Sequence, residues 1–361
     1  MKERILSVDI FRGATIVLMI LVNTPGTWSA VFPPLLHAEW DGYTPTDLVF
    51  PFFLFIVGTS IVFAYKDKVT SSATYKKITI RTLKLIGLGL FLGAFTLSFP
   101  FFKDFADIRF PGVLQRIGVV FFFASILFLN FNWKVLIGIA VFFLIGYWLL
   151  MSLIPVEGVA STLERAPNNL ANWLDVKVLG THNYKVDYDP EGILSTIPSI
   201  ASSLLGIFTG LILTSKLEKK ATILMGIGGA MLILGHLWDV VFPINKALWT
   251  SSFVLVTAGW ANLVLALIYY LTDVKGIKFG SVFRYAGANA IILYFLSSFI
   301  SKIMGMIKVG ETSLHGRLFD TVYVHDFMSL QLSSLLYGLT VVAFYMLLAY
   351  VLYKKKVFIK V

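Results

Sequence analysis

The chain has 361 residues, of which 57% are hydrophobic and 15% aromatic, and only 14% carry a charge. Soluble domains carry about 25% charged residues, so this composition, with a mean hydropathy of +0.82, excludes an ordinary water-soluble protein. The net charge of +10 lies in short basic clusters between apolar runs, which excludes a nucleic-acid-binding face, and the absence of cysteine excludes disulfides and thiolate chemistry.

Apolar runs of the length that crosses a bilayer, about 20 residues, recur along the whole chain. The first follows a charged start and is typical of a signal peptide, but no convincing small-residue cleavage site follows, so we interpret it as an uncleaved span. No period-2 pattern of barrel type competes. The sequence predicts a single all-α membrane domain, 1–361, a polytopic bundle of about ten transmembrane helices. The ten runs are 11–28, 47–65, 82–102, 111–131, 135–156, 192–214, 221–243, 248–271, 285–305 and 329–353.

Lysine and arginine are distributed unevenly between the two sides of this predicted bundle. The side that holds both termini collects 20 of the 30 Lys and Arg but only 5 of the 20 acidic residues. Because basic loops remain in the cytoplasm, we expect both termini to be cytoplasmic. All five histidines then fall on the outer side, as does the long loop at about 155–191. A loop of that length is usually functional or disordered.

The first outer segment holds His37 and Asp47, the main candidates for chemistry. Histidine exchanges a proton near neutral pH, and Asp47 could orient the imidazole, which is the base-and-orienter logic of acyl-transfer sites. Asp47 or Thr46 could instead cap the second span, and His37 could be an ordinary interfacial histidine. Asn23, at the outer end of the first span, is either a donor to a developing oxyanion or a helix-ending turn residue.

Polar residues at the outer ends of later spans are candidates for binding a substrate. Arg116, which follows Gln115, lies more than one turn inside the fourth span, and an arginine at such a place indicates a site for phosphate or carboxylate. Its alternative is a structural pair with Asp107 or Asp47. Glu191 stands in the first turn of the sixth span, where a carboxylate also suits the helix dipole.

The polar segment before the eighth span contributes the remaining candidates. Lys246 is one of the few outer cations and could attract an anion, whereas Asn245 could simply cap the next helix. Trp40 and Trp249 lie near the outer interface, where tryptophan is common in any membrane protein. The predicted substrate-binding set is Arg116, Gln115, Trp40, Glu191, Asn245, Lys246, Trp249 and Ser251.

Two other kinds of site are not indicated. His236 and Asp239 share one face of the seventh span, but two ligands are too few for a metal, and no metal site is predicted. The sequence has no Walker-type phosphate loop, so an ATP-driven pump is not expected.

Six segments together resemble the transmembrane acyltransferases typified by heparan-alpha-glucosaminide N-acetyltransferase, with their bacterial relatives. They are SVDIFRG (7–13), LMILVN (18–23), HAEWDGYTPTDLVFPFFLFIVG (37–58), GVLQRIGV (112–119), YDPEGILST (188–196) and PINKALWTSSFV (243–254). They occur in the family's order along nearly the whole chain, and the block around His37 and Asp47 is the most specific of them. The resemblance does not extend to the N-terminal luminal domain of the lysosomal members, so recognition of a glycan chain is not carried over.

The resemblance implies an activity and roles that spacing alone does not. Lysosomal members move acetyl from cytosolic acetyl-CoA to the amine of a terminal glucosamine on the luminal side. Their catalytic histidine matches His37, and the accompanying asparagine and aspartate match Asn23 and Asp47. We therefore expect a transferase of a bacterial inner membrane that takes acetyl-CoA as co-substrate and an amino sugar or related glycan as acceptor. His37 would be the general base, acting by direct transfer in preference to an acetyl-histidine intermediate.

Other functions remain open from the sequence. A permease for amino sugars would use the same polar centre as a translocation path, although no convincing inverted repeat supports it. A membrane scaffold would explain the apolar runs but not the clustered polar residues. Beyond the lipid bilayer, acetyl-CoA and the acceptor, the partner that the sequence leaves open is a second copy of the chain in a homodimer.

Overall fold

The computed structural model describes residues 5–68, 70–278 and 280–359, so the charged start of the chain lies outside the described residues. The described residues form thirteen α-helices and one small antiparallel hairpin, β1 and β2. The helices are α1 Leu6–Asn23, α2 Val49–Tyr65, α3 Ser72–Ala94, α4 Val113–Asn130, α5 Trp133–Leu153, α6 Leu170–Leu179, α7 Thr196–Thr214, α8 Lys220–Asp239, α9 Ser251–Tyr269, α10 Phe283–Ala288, α11 Ala290–Met306, α12 Leu314–Val322 and α13 Leu330–Lys354, with β1 Lys308–Val309 and β2 Thr312–Ser313.

Eight stretches of the described chain are long and apolar enough to cross a membrane. They contain α1, α2, α4, α5, α7, α8, α9 and α13. The predicted all-α polytopic bundle is therefore confirmed. The other two predicted spans correspond to α11, which is apolar but has 17 residues, and to α3, whose inner half carries four basic side chains. The count of ten spans stays a prediction.

The loop at 155–191 is partly helical in the structure. It contains α6 and a short 3₁₀ turn, Gly180–His182. Asn169 caps α6 by accepting bonds from two backbone N–H groups of its first turn. Part of the segment predicted as a loop thus starts a helix, for which asparagine is a preferred cap residue.

Both ends of the described chain meet at one end of the bundle, which we name the inner end. The first turn of α1 donates two backbone N–H groups to the Asp273 carboxylate at 2.8 and 2.9 Å. The Asn289 amide binds the tail in the same region, through Val357 O at 3.0 Å and Ile359 N at 2.9 Å. Residues 37–47, 155–191 and 240–250 lie at the opposite, outer end. That the inner end faces the cytoplasm stays a prediction from charge.

Glycines bring α2 and α7 into close contact and so fix the position of α2, the helix that follows Asp47. A Cβ on Gly58 would lie 1.8 Å from Ser203 O, and one on Gly206 would lie 2.0 Å from Phe55 O. Thr59 Oγ1 donates to Gly206 O at 3.0 Å across the same contact. Small residues allow such backbone approach in membrane bundles, where packing and interhelical hydrogen bonds hold helices together.

Candidate functional site

His37 and Asp47 are in direct contact at the outer end. Asp47 Oδ1 lies 2.6 Å from His37 Nδ1. Its Oδ2 accepts from Ala38 N at 3.0 Å and from Thr44 N at 2.9 Å. Thr44 and Asp47 also form the capping box of the 3₁₀ turn Pro45–Leu48 that leads into α2. Asp47 therefore caps a helix and holds the imidazole at the same time.

The two partners of this contact differ in burial. The Asp47 side chain is 1% exposed, whereas that of His37 is 52% exposed. An ionised carboxylate can only accept, so the proton of the short contact belongs to Nδ1. This leaves Nε2 of His37 as the proton-accepting nitrogen, on a ring that is open to the outer side.

Lys246 completes this group from a distant part of the chain. Its Nζ lies 2.8 Å from Nδ1 and 3.2 Å from Nε2 of His37, and 3.3 Å from Asp47 Oδ1. The side chain is 19% exposed. Burial lowers the pKa of the Lys246 ammonium, and the nearby Asp47 and Glu191 carboxylates oppose that shift without cancelling it.

A short backbone bridge holds Lys246 against the histidine segment. Gly42 N donates to Ile244 O at 2.7 Å, and Asn245 Nδ2 donates to Asp41 Oδ1 at 3.1 Å. Ile244 N in turn donates to the Asp239 carboxylate, at the end of α8, at 2.6 Å. Asn245 therefore joins the two segments, and it also accepts from the backbone of its own turn.

The two other predicted residues after Lys246 lie within the protein. Trp249 is fully buried, has a positive φ of 52°, and donates from Nε1 to Ser202 Oγ at 3.0 Å. Ser251 is also buried and donates to Leu144 O at 2.7 Å. Their observed contacts support the turn that carries Lys246, and their binding of substrate stays a prediction.

Arg116 is buried against backbone carbonyls. Its guanidinium donates to Pro190 O and Gly192 O, both at 3.0 Å, and to Ser195 Oγ, and it lies 5.2 Å from the centre of the Trp249 ring. It thus holds the segment 190–195 in place. The sequence could not indicate these partners, because carbonyl groups leave no residue-type pattern.

Arg109 is a charged residue that no sequence pattern indicates. It makes a two-pronged bond to the Asp189 carboxylate, and its Nη2 also contacts Glu191 Oε2 at 2.5 Å. The three residues come from segments about 80 positions apart, so no local spacing reveals them. Glu191, Gln115 and Arg116 line one outer cavity of about 360 Å³.

Two predicted residues make hydrogen bonds to groups other than His37 and Asp47. Asn23 Nδ2 donates to Met19 O, one turn back in its own helix, at 2.7 Å. Trp40 Nε1 donates to Leu163 O at 3.0 Å, and its ring meets Tyr188 edge-on. Trp40 thus fastens the histidine segment to the long outer loop, and a role in binding stays a prediction for both residues.

Asp175 on α6 is a buried acid that no sequence pattern indicates. Burial raises its pKa to about 7, a bond from Ile193 N opposes this, and the Asp189 charge adds to it. The Ile193 bond measures 2.8 Å. Asp175 therefore titrates near neutral pH at a junction between the outer loop and the segment that carries Glu191.

A second cavity, of about 580 Å³, opens at the inner end. On α2 its lining runs from Tyr65 to Phe53, a rise of about 18 Å. Four basic side chains line it, and they are Arg12, Lys77, Arg81 and Lys84. From Phe53 to Asp47 the remaining rise along the chain is about 10 Å. These basic side chains would neutralise a polyanion bound at the mouth of this cavity. The opposite end of such a ligand would be directed toward the outer site.

The described residues contain no group of three or more His, Asp or Glu side chains that could hold a metal ion. His236 and Asp239, the pair considered from the sequence, bond instead to backbone groups of the protein.

The fold and this arrangement define a polytopic helical membrane protein with a His–Asp–Lys group at one end and a basic cavity at the other. The family described as heparan-alpha-glucosaminide N-acetyltransferase, catalytic, matches residues 4–237. The chain belongs to this family.

Two curated relatives match along essentially the whole chain. Heparan-alpha-glucosaminide N-acetyltransferase from Homo sapiens is 30% identical over 423 aligned positions, which cover 100% of this chain and 60% of that protein. The protein of the same name from Mus musculus is 30% identical, with 99% of this chain and 61% of that protein covered. The chain thus spans about three fifths of the length of these relatives.

Proposed function

We propose that the chain is a membrane-bound acyltransferase that moves an acetyl group from acetyl-CoA at the inner end to an amino sugar or related glycan at the outer end. The observation that carries this proposal is the 2.6 Å contact between His37 Nδ1 and Asp47 Oδ1, which leaves a base open to the outer side. Family membership supports the reaction type.

The donor enters from the inner end in this proposal. Its phosphates lie among the basic residues of the inner cavity, and its thioester end reaches past Phe53 toward Asp47. The cavity is large enough for a drug-sized group, and arginine and lysine suit phosphate. The inner end is then the cytoplasmic side of a bacterial inner membrane, where acetyl-CoA is made.

The transfer is direct. The acceptor amine attacks the thioester carbon while His37 Nε2 takes a proton from the amine, which contributes about 10²–10⁴-fold to the rate. Asp47 holds the imidazole in the tautomer with hydrogen on Nδ1. An amide nitrogen has two N–H groups, so Asn23 can donate one to the oxyanion while the other stays on Met19 O.

The residues around the outer cavity serve the acceptor. Glu191 presents a carboxylate that Arg109 fixes at one oxygen, so its other oxygen is available to a hydroxyl or ammonium group of a sugar. Gln115 and Arg116 line the same cavity. Arg116 acts mainly by holding the segment that carries Glu191.

The test uses purified full-length protein with labelled acetyl-CoA and a panel of amino sugars, with glucosamine first. We expect release of coenzyme A together with acetylated sugar, and a loss of at least about 100-fold in His37→Ala. His325→Ala is the matched control, because His325 is exposed and contacts Val322 O and Phe327 rather than the site. Full activity in His37→Ala would overturn the assignment.

The alternative that this assay separates is a permease for amino sugars. It predicts uptake of sugar into vesicles that contain the protein, with no release of coenzyme A and no acetylated product.

A further inference from the structure

Lys246 holds an unusual position beside the base. Its Nζ contacts both ring nitrogens of His37 and lies 3.3 Å from Asp47 Oδ1. An ammonium has three donors and no lone pair. Because Nδ1 of His37 donates its proton to Asp47, the ring lone pair that Lys246 can reach is the one on Nε2, where the acceptor's proton has to arrive.

The charges of the group couple the two nitrogen bases. When His37 is neutral, the positive charge of the Lys246 ammonium and the negative charge of the Asp47 carboxylate cancel. When His37 takes a proton, an imidazolium and an ammonium lie 2.8 Å apart, and Asp47 is the carboxylate in contact with both. Like charges this close disfavour the doubly protonated state. Protonation of His37 therefore promotes the departure of a proton from Lys246.

Neighbouring charges do not relieve this coupling. Glu191 is the other carboxylate that acts on Lys246, and its charge is already paired with Arg109. Burial lowers the pKa of Lys246, so the ammonium is ready to release a proton to a base that forms beside it. In a thioester transfer, that base is the departing sulfur.

We propose that Lys246 is the acid that protonates the leaving thiolate, and this inference rests on the proposed function. The acceptor N–C bond forms and the C–S bond breaks, with both electrons of the latter on sulfur. The amine proton passes to His37 Nε2, and a Lys246 proton passes to sulfur to give the free thiol. His37 then returns its proton to Lys246, which restores the site after one amide and one thiol are made.

The simpler role for Lys246 is a fixed positive charge that holds an anionic part of a substrate. The two roles differ in what the leaving group needs. A selenol is a much stronger acid than a thiol, so an acetyl donor with selenium in place of the sulfur of coenzyme A leaves without a proton. A fixed charge would serve both donors equally, and arginine could replace it.

The experiment compares kcat for the sulfur and the selenium donor in wild type, Lys246→Met and Lys246→Arg. We expect both variants to lose about 100-fold or more with acetyl-CoA, the typical contribution of one acid or base, and to lose far less with the selenium donor. Lys246→Arg keeps the charge but cannot release a proton, so it also covers the case in which Lys246→Met does not fold.

Controls separate this inference from the proposed function. Lys177→Met changes an exposed lysine of the outer loop that pairs with Glu157, and should behave as wild type with both donors. His37→Ala should lose activity with both, since the amine proton must leave in either case. Equal losses of the Lys246 variants with the two donors, or activity in Lys246→Arg, would overturn the acid role while leaving the transferase intact. No transfer by wild type would overturn the proposed function itself.

Discussion

The contact between Asp47 and His37 depends on a carboxylate oxygen that accepts from His37 Nδ1. In Asp47→Asn one carboxylate oxygen becomes an NH₂ group. The remaining oxygen is needed where Ala38 and Thr44 donate their N–H groups, so the NH₂ group faces His37 Nδ1. It then donates to Nδ1, and the imidazole is forced into the tautomer with hydrogen on Nε2. The variant keeps its helix cap and loses its base.

The same geometry sets the expected losses of turnover and of stability in Asp47→Asn. Turnover should fall about 10³–10⁴-fold, as expected when an orienting carboxylate becomes an amide and the histidine takes the wrong tautomer. Stability should fall by about 1.5–3 kcal/mol, the value of one charge-assisted hydrogen bond. Coenzyme A release and thermal unfolding of the purified protein measure the two effects. Asp187→Asn is the control, because Asp187 is an exposed aspartate that pairs with Arg165 and contacts neither His37 nor Lys246. A folded Asp47→Asn protein with near-normal turnover would refute the reasoning.

Three further predictions concern the surroundings of the site. Arg109→Gln leaves the Asp189 and Glu191 carboxylates buried without their cation and should lower the free energy of unfolding by about 3–5 kcal/mol, as measured by thermal unfolding. Arg165→Gln breaks an exposed pair and should lower it by less than about 1 kcal/mol. Equal effects of the two substitutions would contradict the role of Arg109. Asp175 has a raised pKa of about 7, so the folded state binds more protons than the unfolded state, and the free energy of unfolding should fall as pH rises from about 4 to 7. Asp175→Asn should remove this pH dependence and be more stable than wild type by up to roughly 4 kcal/mol at pH 8. An unchanged pH dependence of unfolding between pH 5 and 8 in the variant would contradict the prediction. Arg81→Gln should raise KM for acetyl-CoA about tenfold, equivalent to about 1.4 kcal/mol, with little change in kcat. Lys134→Gln, at the same end of the bundle, should change neither KM nor kcat. A change in kcat without a change in KM for Arg81→Gln would argue against a donor site in the inner cavity.

Local patterns in the sequence were sufficient for the helical bundle. Apolar runs predict spans because a bilayer has a fixed thickness, and eight of the ten runs coincide with helices of spanning length and composition. The run at 82–102 shows the limit of this reasoning. Its helix begins ten residues earlier, at Ser72, and ends at Ala94, because basic side chains that break an apolar run do not break a helix.

The site was only partly accessible from the sequence. His37 and Asp47 lie ten residues apart, so a local argument could propose that they meet. Lys246 meets them across 209 positions, and Arg109 meets Asp189 across 80. Such contacts depend on how helices pack, which periodicity does not encode. The sequence predicts an acidic group or an anionic ligand as the partner of Arg116, whereas the structure shows hydrogen bonds to the carbonyl groups of Pro190 and Gly192.

The backbone bridge between Asp41–Gly42 and Ile244–Asn245 has a consequence for how the protein is made. Ribosomes add about 5–20 residues per second, so the lysine segment is synthesised about 10–40 s after the histidine segment. During that interval the nascent chain already has its first spans in the membrane and carries an imidazole with no ammonium beside it. Assembly of the complete group is therefore a late event in biogenesis, because a chain released before residue 246 would lack the lysine of the group.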